Sequence, residues 1–154
     1  SELREVDGLI LSGGAARVGL TGELGNCAEY LTLDVPILGI CAGHQFMAGY
    51  YGGMSAEAPK PEFGAATISL VGSGGKIFNG TPSTQTVWES HNDEVTQVPT
   101  GFTITARSES CEVQGMENSG GDRFGLQFHP EVNDSEYGNV MFQNFINVCE
   151  SARK

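Results

Sequence analysis

With 154 residues the chain is long enough for one domain with a sizeable core and too short for two domains of ordinary size. Its 19 acidic residues against 8 basic ones give a formal net charge of −11. Such a surface repels phosphate backbones and anionic bilayers, which excludes nucleic acid and membranes as partners. No apolar run approaches the ~18 residues of a spanning helix and no basic segment introduces one as in a signal peptide, so a cytoplasmic location is expected.

Ser1 to Val6 reads as the tail of a helix, and the short run Asp7-Gly8-Leu9-Ile10-Leu11, stopped by Ser12-Gly13-Gly14, as a buried strand ending in a tight glycine loop. Leu24, Cys27, Ala28 and Leu31 recur at helical spacing ahead of Asp34-Val35-Pro36. Pro36 to Ile40 then predicts a second buried strand and Gly43 to Tyr51 a helix closed by Gly52-Gly53. Strand and helix alternate, which predicts an α/β domain with a mostly parallel central sheet flanked by helices and wound by right-handed crossovers.

The period changes to two at Ala66, Ile68 and Leu70, and further short strands are predicted at Gln85 to Trp88, Thr103 to Ala106 and Cys111 to Met116, forming a small antiparallel or mixed part. Gly72-Ser73-Gly74-Gly75-Lys76 lacks the first glycine of a phosphate-binding loop and reads as a turn. Asn118 to Asp122 signals a hairpin before a strand at Arg123 to Phe128. Tyr137, Met141, Phe145, Val148 and Ala152 share one face of a final helix, with a cap at Asp134 or Ser135. No linker or repeat divides residues 1–154, so a single domain is expected.

Gly39-Ile40-Cys41-Ala42-Gly43 sits where a strand gives way to a helix and has the form of a nucleophile elbow with cysteine in place of serine. The glycines on either side permit the crowded turn that exposes the thiol. The helix N-terminus is expected to favour the thiolate, and the Ala42 N–H to face an oxyanion formed beside Cys41. Of the three histidines, His44 lies one helical turn beyond Cys41 and is poorly placed as a base. His129 emerges from a strand end, and Glu131, two residues on, can hold its imidazole in one tautomer. Gly14 N–H offers a second oxyanion donor. The Cys41-x-x-His44 spacing has no second ligand pair, so no metal site is expected. The four cysteines are widely spaced in a chain without a secretion signal, and reduced thiols are expected.

Leu11-Ser12-Gly13-Gly14, Gly39-Ile40-Cys41-Ala42-Gly43-His44-Gln45 and Gln127-Phe128-His129-Pro130-Glu131-Val132 together resemble the class I, triad-type glutamine amidotransferases. Val87 to Val95, Ala106 to Cys111, Tyr137-Gly138 and Phe142 to Phe145 resemble the glutaminase subunit of GMP synthetase in its archaeal two-subunit form. The resemblance implies a flavodoxin-like α/β fold and hydrolysis of L-glutamine through Cys41, His129 and Glu131. It further implies that the ammonia passes to an ATP-dependent synthetase subunit that converts XMP to GMP. No cofactor is implied for the glutaminase step, while ATP and Mg2+ belong to the partner. Gln45 is implied to hold the substrate glutamine, Ser90, His91 and Asn92 to form a loop binding its amino-acid end, and Asp93 to sense the partner. Alternatives are a glutaminase subunit of anthranilate or aminodeoxychorismate synthesis, or a non-catalytic regulatory module of the same fold. Family members begin with a strand-helix unit ahead of Leu11, which needs at least ~30 residues. This chain starts at what reads as the end of that unit, so the N-terminal strand-helix unit is expected to be missing or supplied by another polypeptide.

Overall fold

The computed structural model describes residues 6–12, 17–22, 24 and 27–152. The elements run β1 (Leu9–Ser12), α1 (Val18–Thr21), α2 (Cys27–Tyr30), β2 (Ile37–Ile40), α3 (Ala42–Tyr50), β3 (Met54–Leu70), β4 (Thr84–Gln97), β5 (Phe102–Arg107), β6 (Gly115–Asn118), β7 (Arg123–Leu126) and α4 (Gly138–Ala152). One mixed sheet of seven strands has the order β1-β2-β7-β6-β5-β3-β4. β1, β2 and β7 are mutually parallel, and the antiparallel strands continue the same sheet.

Every residue of β2 is buried, as a parallel strand covered on both faces requires. Leu38 and Ile40 join Phe124, Leu126, Met141 and Phe145 in a core under α4, while Ile37 turns to the opposite face and packs with Leu11, Met47 and Ala48 of α3. Phe124 and Phe145 meet edge to face with ring centroids 6.1 Å apart, fixing α4 against β7. Among the described residues no helix is long and apolar enough to cross a membrane.

Several predicted bounds shift for physical reasons. The strand expected to end at Trp88 runs on to Gln97, and β3 pairs with it along most of its 17 residues. Ser90, His91 and Asn92 therefore lie in a strand and not in a loop. Cys111 to Gln114, expected as strand, form a loop closed by Ser108 N–H to the Cys111 carbonyl at 2.8 Å, and pairing resumes only at Gly115. The helix read from Leu24 to Leu31 is described only at Cys27–Tyr30. Neither Asp134 nor Ser135 directly precedes α4, which begins at Gly138; the Ser135 hydroxyl is engaged elsewhere. In α4 the buried face is Gly138, Met141, Phe145 and Cys149, with Ala152 exposed. The turns at Gly72 to Lys76 and Asn118 to Asp122 form as expected. Of the helix tail expected from Ser1 to Val6 only Val6 is described, and it is not helical; Ser1 to Glu5 and the loop expected at Gly13 and Gly14 lie outside the described residues.

Candidate active site

Two neighbouring parallel strands deliver the central groups. β2 and β7 are in register at Ile40 and Leu126, so Cys41, next after β2, and His129, three residues after the end of β7, leave the same C-terminal edge of the sheet. That edge is where open α/β sheets place their ligands. The Cys41 N–H donates to the Leu126 carbonyl at 2.8 Å, joining the two strand ends.

Cys41 has φ +53° and ψ −109°, and it is the one non-glycine with positive φ among the described residues. An L-residue adopts that conformation at a cost of order 1–3 kcal/mol, sustained only where the surroundings enforce it. The enforcing contacts are visible at the two flanking glycines. A Cβ on Gly39 would lie 2.8 Å from the Gly43 backbone and the His44 nitrogen, and one on Gly43 would fall on the Leu11 carbonyl oxygen. The elbow thus packs strand, turn and helix backbone together without room for a methyl group.

The Cys41 thiol is buried, 4% exposed. Its Sγ donates to the Ser90 carbonyl at 3.6 Å and lies 3.8 Å from Gln127 Nε2, which donates to it. Burial pushes this thiol up to about 11; the Ala42 N–H opposes the shift, while Glu89, Glu131 and Asp93 add to it. The expectation that the helix N-terminus yields a resting thiolate is therefore corrected, because loss of water and three nearby carboxylates outweigh one backbone dipole.

His129 Nδ1 lies 2.8 Å from Glu131 Oε2. A carboxylate only accepts, so Nδ1 carries a hydrogen and Nε2 is the nitrogen turned away from Glu131. The main chain of His129 is fixed on both sides. Its N–H donates to the Trp88 carbonyl at 2.9 Å, and its carbonyl accepts from Ser135 Oγ at 2.8 Å. Ser135 Oγ in turn accepts from the Trp88 N–H at 3.0 Å. Sequence reading missed this clamp, having assigned Ser135 to a helix cap.

Gln45 is buried, and its Nε2 donates to the Asp93 carbonyl at 2.7 Å and to Gln127 Oε1 at 3.2 Å. Asp93 is a node. Arg17 Nη2 donates to its Oδ1 at 2.8 Å, Arg17 Nε to its Oδ2 at 3.0 Å, and the Gly19 N–H to Oδ2 at 3.1 Å. Ser90 and Asn92 point outward, whereas Glu89, His91 and Asp93 point inward, as strand alternation dictates. His91 is buried with Nδ1 2.8 Å from the Asp93 carbonyl and Nε2 2.8 Å from Glu62 Oε1. Burial presses its pKa down, but the hydrogen bond to Glu62 and the nearby Glu89 carboxylate win and leave it raised. Gly14 cannot be placed, being outside the described residues; Ala42 opens α3 beside Cys41. His44 is fully buried against Gly125 and near the Val113 backbone, with no well-formed hydrogen bond at either ring nitrogen. All four cysteines are free thiols.

The family model of the class-I glutamine amidotransferases matches residues 1–149. The chain is 44% identical to the glutamine-hydrolyzing GMP synthase subunit of Thermoplasma acidophilum, over all of this chain and 78% of that protein. It is 42% identical to the protein of the same name from Halobacterium salinarum, over 95% of this chain and 78% of that one. A crystal structure of a T. acidophilum protein, provisionally described as the same GMP synthase subunit, superposes with a TM-score of 0.92 at 44% identity, covering 99% of this chain and 77% of the other. A glutamine amidotransferase from Thermotoga maritima superposes with a TM-score of 0.74 at 26% identity, over 97% of this chain and 71% of the other. This chain belongs to the class-I glutamine amidotransferase family.

Proposed function

We propose that this amidotransferase is the glutaminase subunit of a two-subunit GMP synthetase, hydrolysing L-glutamine and passing ammonia to an ATP- and Mg2+-dependent partner that aminates XMP. The reading is supported by a strained Cys41 and an oriented His129–Glu131 pair that follow the ends of adjacent parallel strands. The relatives named as glutamine-hydrolyzing GMP synthase subunits support the specific assignment.

The thiol at rest is protonated, so attack on the amide carbonyl requires His129 Nε2 to accept the Sγ proton as the S–C bond forms. The Ala42 N–H, with Gly14 N–H as its partner donor, takes the charge that develops on oxygen. His129 returns the proton to the departing nitrogen, releasing ammonia and leaving a thioester on Cys41. Water, deprotonated by His129, then cleaves that thioester to glutamate and free thiol, with Glu131 keeping the imidazole in one tautomer throughout. Gln45, Ser90, His91 and Asn92 hold the glutamine, Gln45 and His91 through the backbone of β4 that they brace. Asp93 serves as the partner-sensing residue.

A glutamine analogue bearing an electrophile alkylates Cys41 alone among the four cysteines. In the assembled enzyme Cys41→Ala abolishes glutamine-dependent GMP formation and leaves ammonia-dependent formation intact. Loss of both activities, or labelling of another cysteine in place of Cys41, would refute the assignment.

A further inference from the structure

Behind the outward-facing Ser90 lies a second polar cluster. Glu62 and His91 are cross-strand partners in β3 and β4, and a register shift between Glu57 and Glu62 marks where β3 bends to present Glu62. One ligand atom each of Glu62, His91 and Cys111 lie within 4.8 Å of one another, with His91 and Cys111 buried. The Glu89 side chain is fully enclosed, has no hydrogen bond at either carboxylate oxygen, and places Oε1 3.4 Å from His91 Nε2.

The imidazole fixes the electrostatics. His91 Nδ1 faces the Asp93 carbonyl, which only accepts, so Nδ1 must carry a hydrogen. Nε2 then faces two carboxyl groups, an arrangement that holds with a proton on Nε2, with a proton on the enclosed Glu89, or with a metal ion among them. A histidine that donates one ring N–H to a backbone carbonyl and turns its other nitrogen to anionic donors is the orientation of a metal ligand. Glu62 is itself oriented, accepting from Ser108 Oγ at 2.8 Å and from Gln114 Nε2 at 2.8 Å.

We propose that Glu62, Glu89, His91 Nε2 and Cys111 Sγ form a divalent transition-metal site, with zinc as the ion that fits this donor set. Nitrogen, thiolate and carboxylate oxygens in a four-coordinate shell are zinc ligands, and bond lengths of ~2.0–2.3 Å set neighbouring donors about 3.3–3.7 Å apart; His91 Nε2 and Glu89 Oε1 already stand 3.4 Å apart, His91 Nε2 and Glu62 Oε1 open from 2.8 Å, and donors up to 4.8 Å apart close in. Binding displaces the Cys111 thiol proton, now directed at the Val113 carbonyl, and any proton on Nε2 or on the Glu89 carboxyl, all of which go to solvent. The ligands come from β3, β4 and the loop after β5, with no short spacing between them, which is why the sequence signals no metal. Glu89 and His91 flank Ser90, whose carbonyl contacts the Cys41 thiol, so the ion would fix the strand segment facing the nucleophile.

The test uses the whole chain carrying Cys41→Ala, which removes the nucleophile as a competing thiol. After stripping with a chelator it is titrated with Zn2+ against a chromophoric competitor and separately with Co2+. One zinc per chain is expected, with a near-ultraviolet cobalt–thiolate band. Cys111→Ser abolishes the band, and both it and Glu89→Gln weaken zinc binding at least tenfold. Should Cys111→Ser not fold, a chain lacking Cys27, Cys41 and Cys149 leaves Cys111 as the only thiol and must still show the band. Failure of the stripped chain to take up one zinc, or a band that survives in folded Cys111→Ser, overturns the proposal.

Discussion

His44 makes the stability of this fold depend on pH in a calculable way. Its ring is fully buried with no well-formed hydrogen bond at either nitrogen. Burial, opposed by the Val113 backbone and reinforced by His91, pushes its pKa down from 6.5 to about 3. Above pH 6.5 the ring is neutral in both folded and unfolded chain, and nothing is lost. As pH falls below 6.5 the unfolded chain takes up a proton that the folded chain refuses until about 3, so the stability present at neutral pH drains away across that window. At pH 5 the loss is about 2 kcal/mol, and it approaches about 5 kcal/mol below pH 3. Choosing pH 5 makes the figure insensitive to the folded-state value, because a ring that titrates at 4 is still almost wholly neutral there. His44→Met keeps an unbranched, adaptable side chain against Gly125 and removes the titration. Urea unfolding of both proteins at pH 7.5 and pH 5 is the assay. With a slope of about 2 kcal/mol per molar urea, the wild-type midpoint should fall about 1 M further than that of the variant between the two pH values. Equal falls in the two proteins would refute the reasoning, since all other titrating groups are common to both.

Gly43→Ala should lower the unfolding free energy by about 1–3 kcal/mol, because the new methyl group lands on the Leu11 carbonyl and forces β1 away from α3. Gly49→Ala, in the same helix with open space at its Cβ, should instead raise it by about 0.5–1 kcal/mol; urea melts of the pair separate local clash from helix propensity. Ser135→Ala strands the Trp88 N–H and frees the His129 carbonyl. It should lower kcat for glutamine about tenfold through misplacement of the imidazole, with KM little changed, and an unaltered kcat in steady-state assays would remove Ser135 from the positioning apparatus. Because burial holds the Cys41 thiol at about 11, its alkylation by a neutral haloacetamide, followed by peptide mass spectrometry, should rise about tenfold per pH unit between 7 and 9. A plateau near neutrality would mean that a thiolate already exists at rest.

The parallel half of the fold is legible because its residues obey simple rules. Ile37 to Ile40 is apolar throughout since both faces of β2 are covered, and the glycines around Cys41 announce a turn whose crowding the structure confirms. The C-terminal helix is readable for the same reason: Met141 and Phe145 lie on a stripe of period 3.6. Local signals fail where the contact that decides the structure is distant in sequence. Ser135 looks like a helix cap, yet its hydroxyl bridges Trp88 and His129. Cys111 and Val113 alternate as a strand does, yet the Ser108 to Cys111 hydrogen bonds close a loop there.

The second half of β4 shows why hydrophobic periodicity misses an element that carries chemistry. From Trp88 to Val95 the strand alternates strictly between inward and outward positions, but its inward row runs Glu89, His91 and Asp93 before the apolar Val95. Read by polarity these residues belong to a solvated loop. Two of them are buried against counterparts elsewhere in the chain: Asp93 is forked by Arg17, 76 residues away, and His91 is bound to Glu62, 29 residues away. A buried charge without such a counterpart would cost several kcal/mol, so the polar row specifies the β3–β4 register as firmly as an apolar one. Glu89 is the exception within that row, enclosed and unbonded, and burial beside Glu62 pushes its pKa up to about 8. The strand that braces the Cys41 thiol is therefore built on an electrostatic arrangement that is complete at Asp93 and incomplete at Glu89, and the incomplete end is where a ligand has something to add.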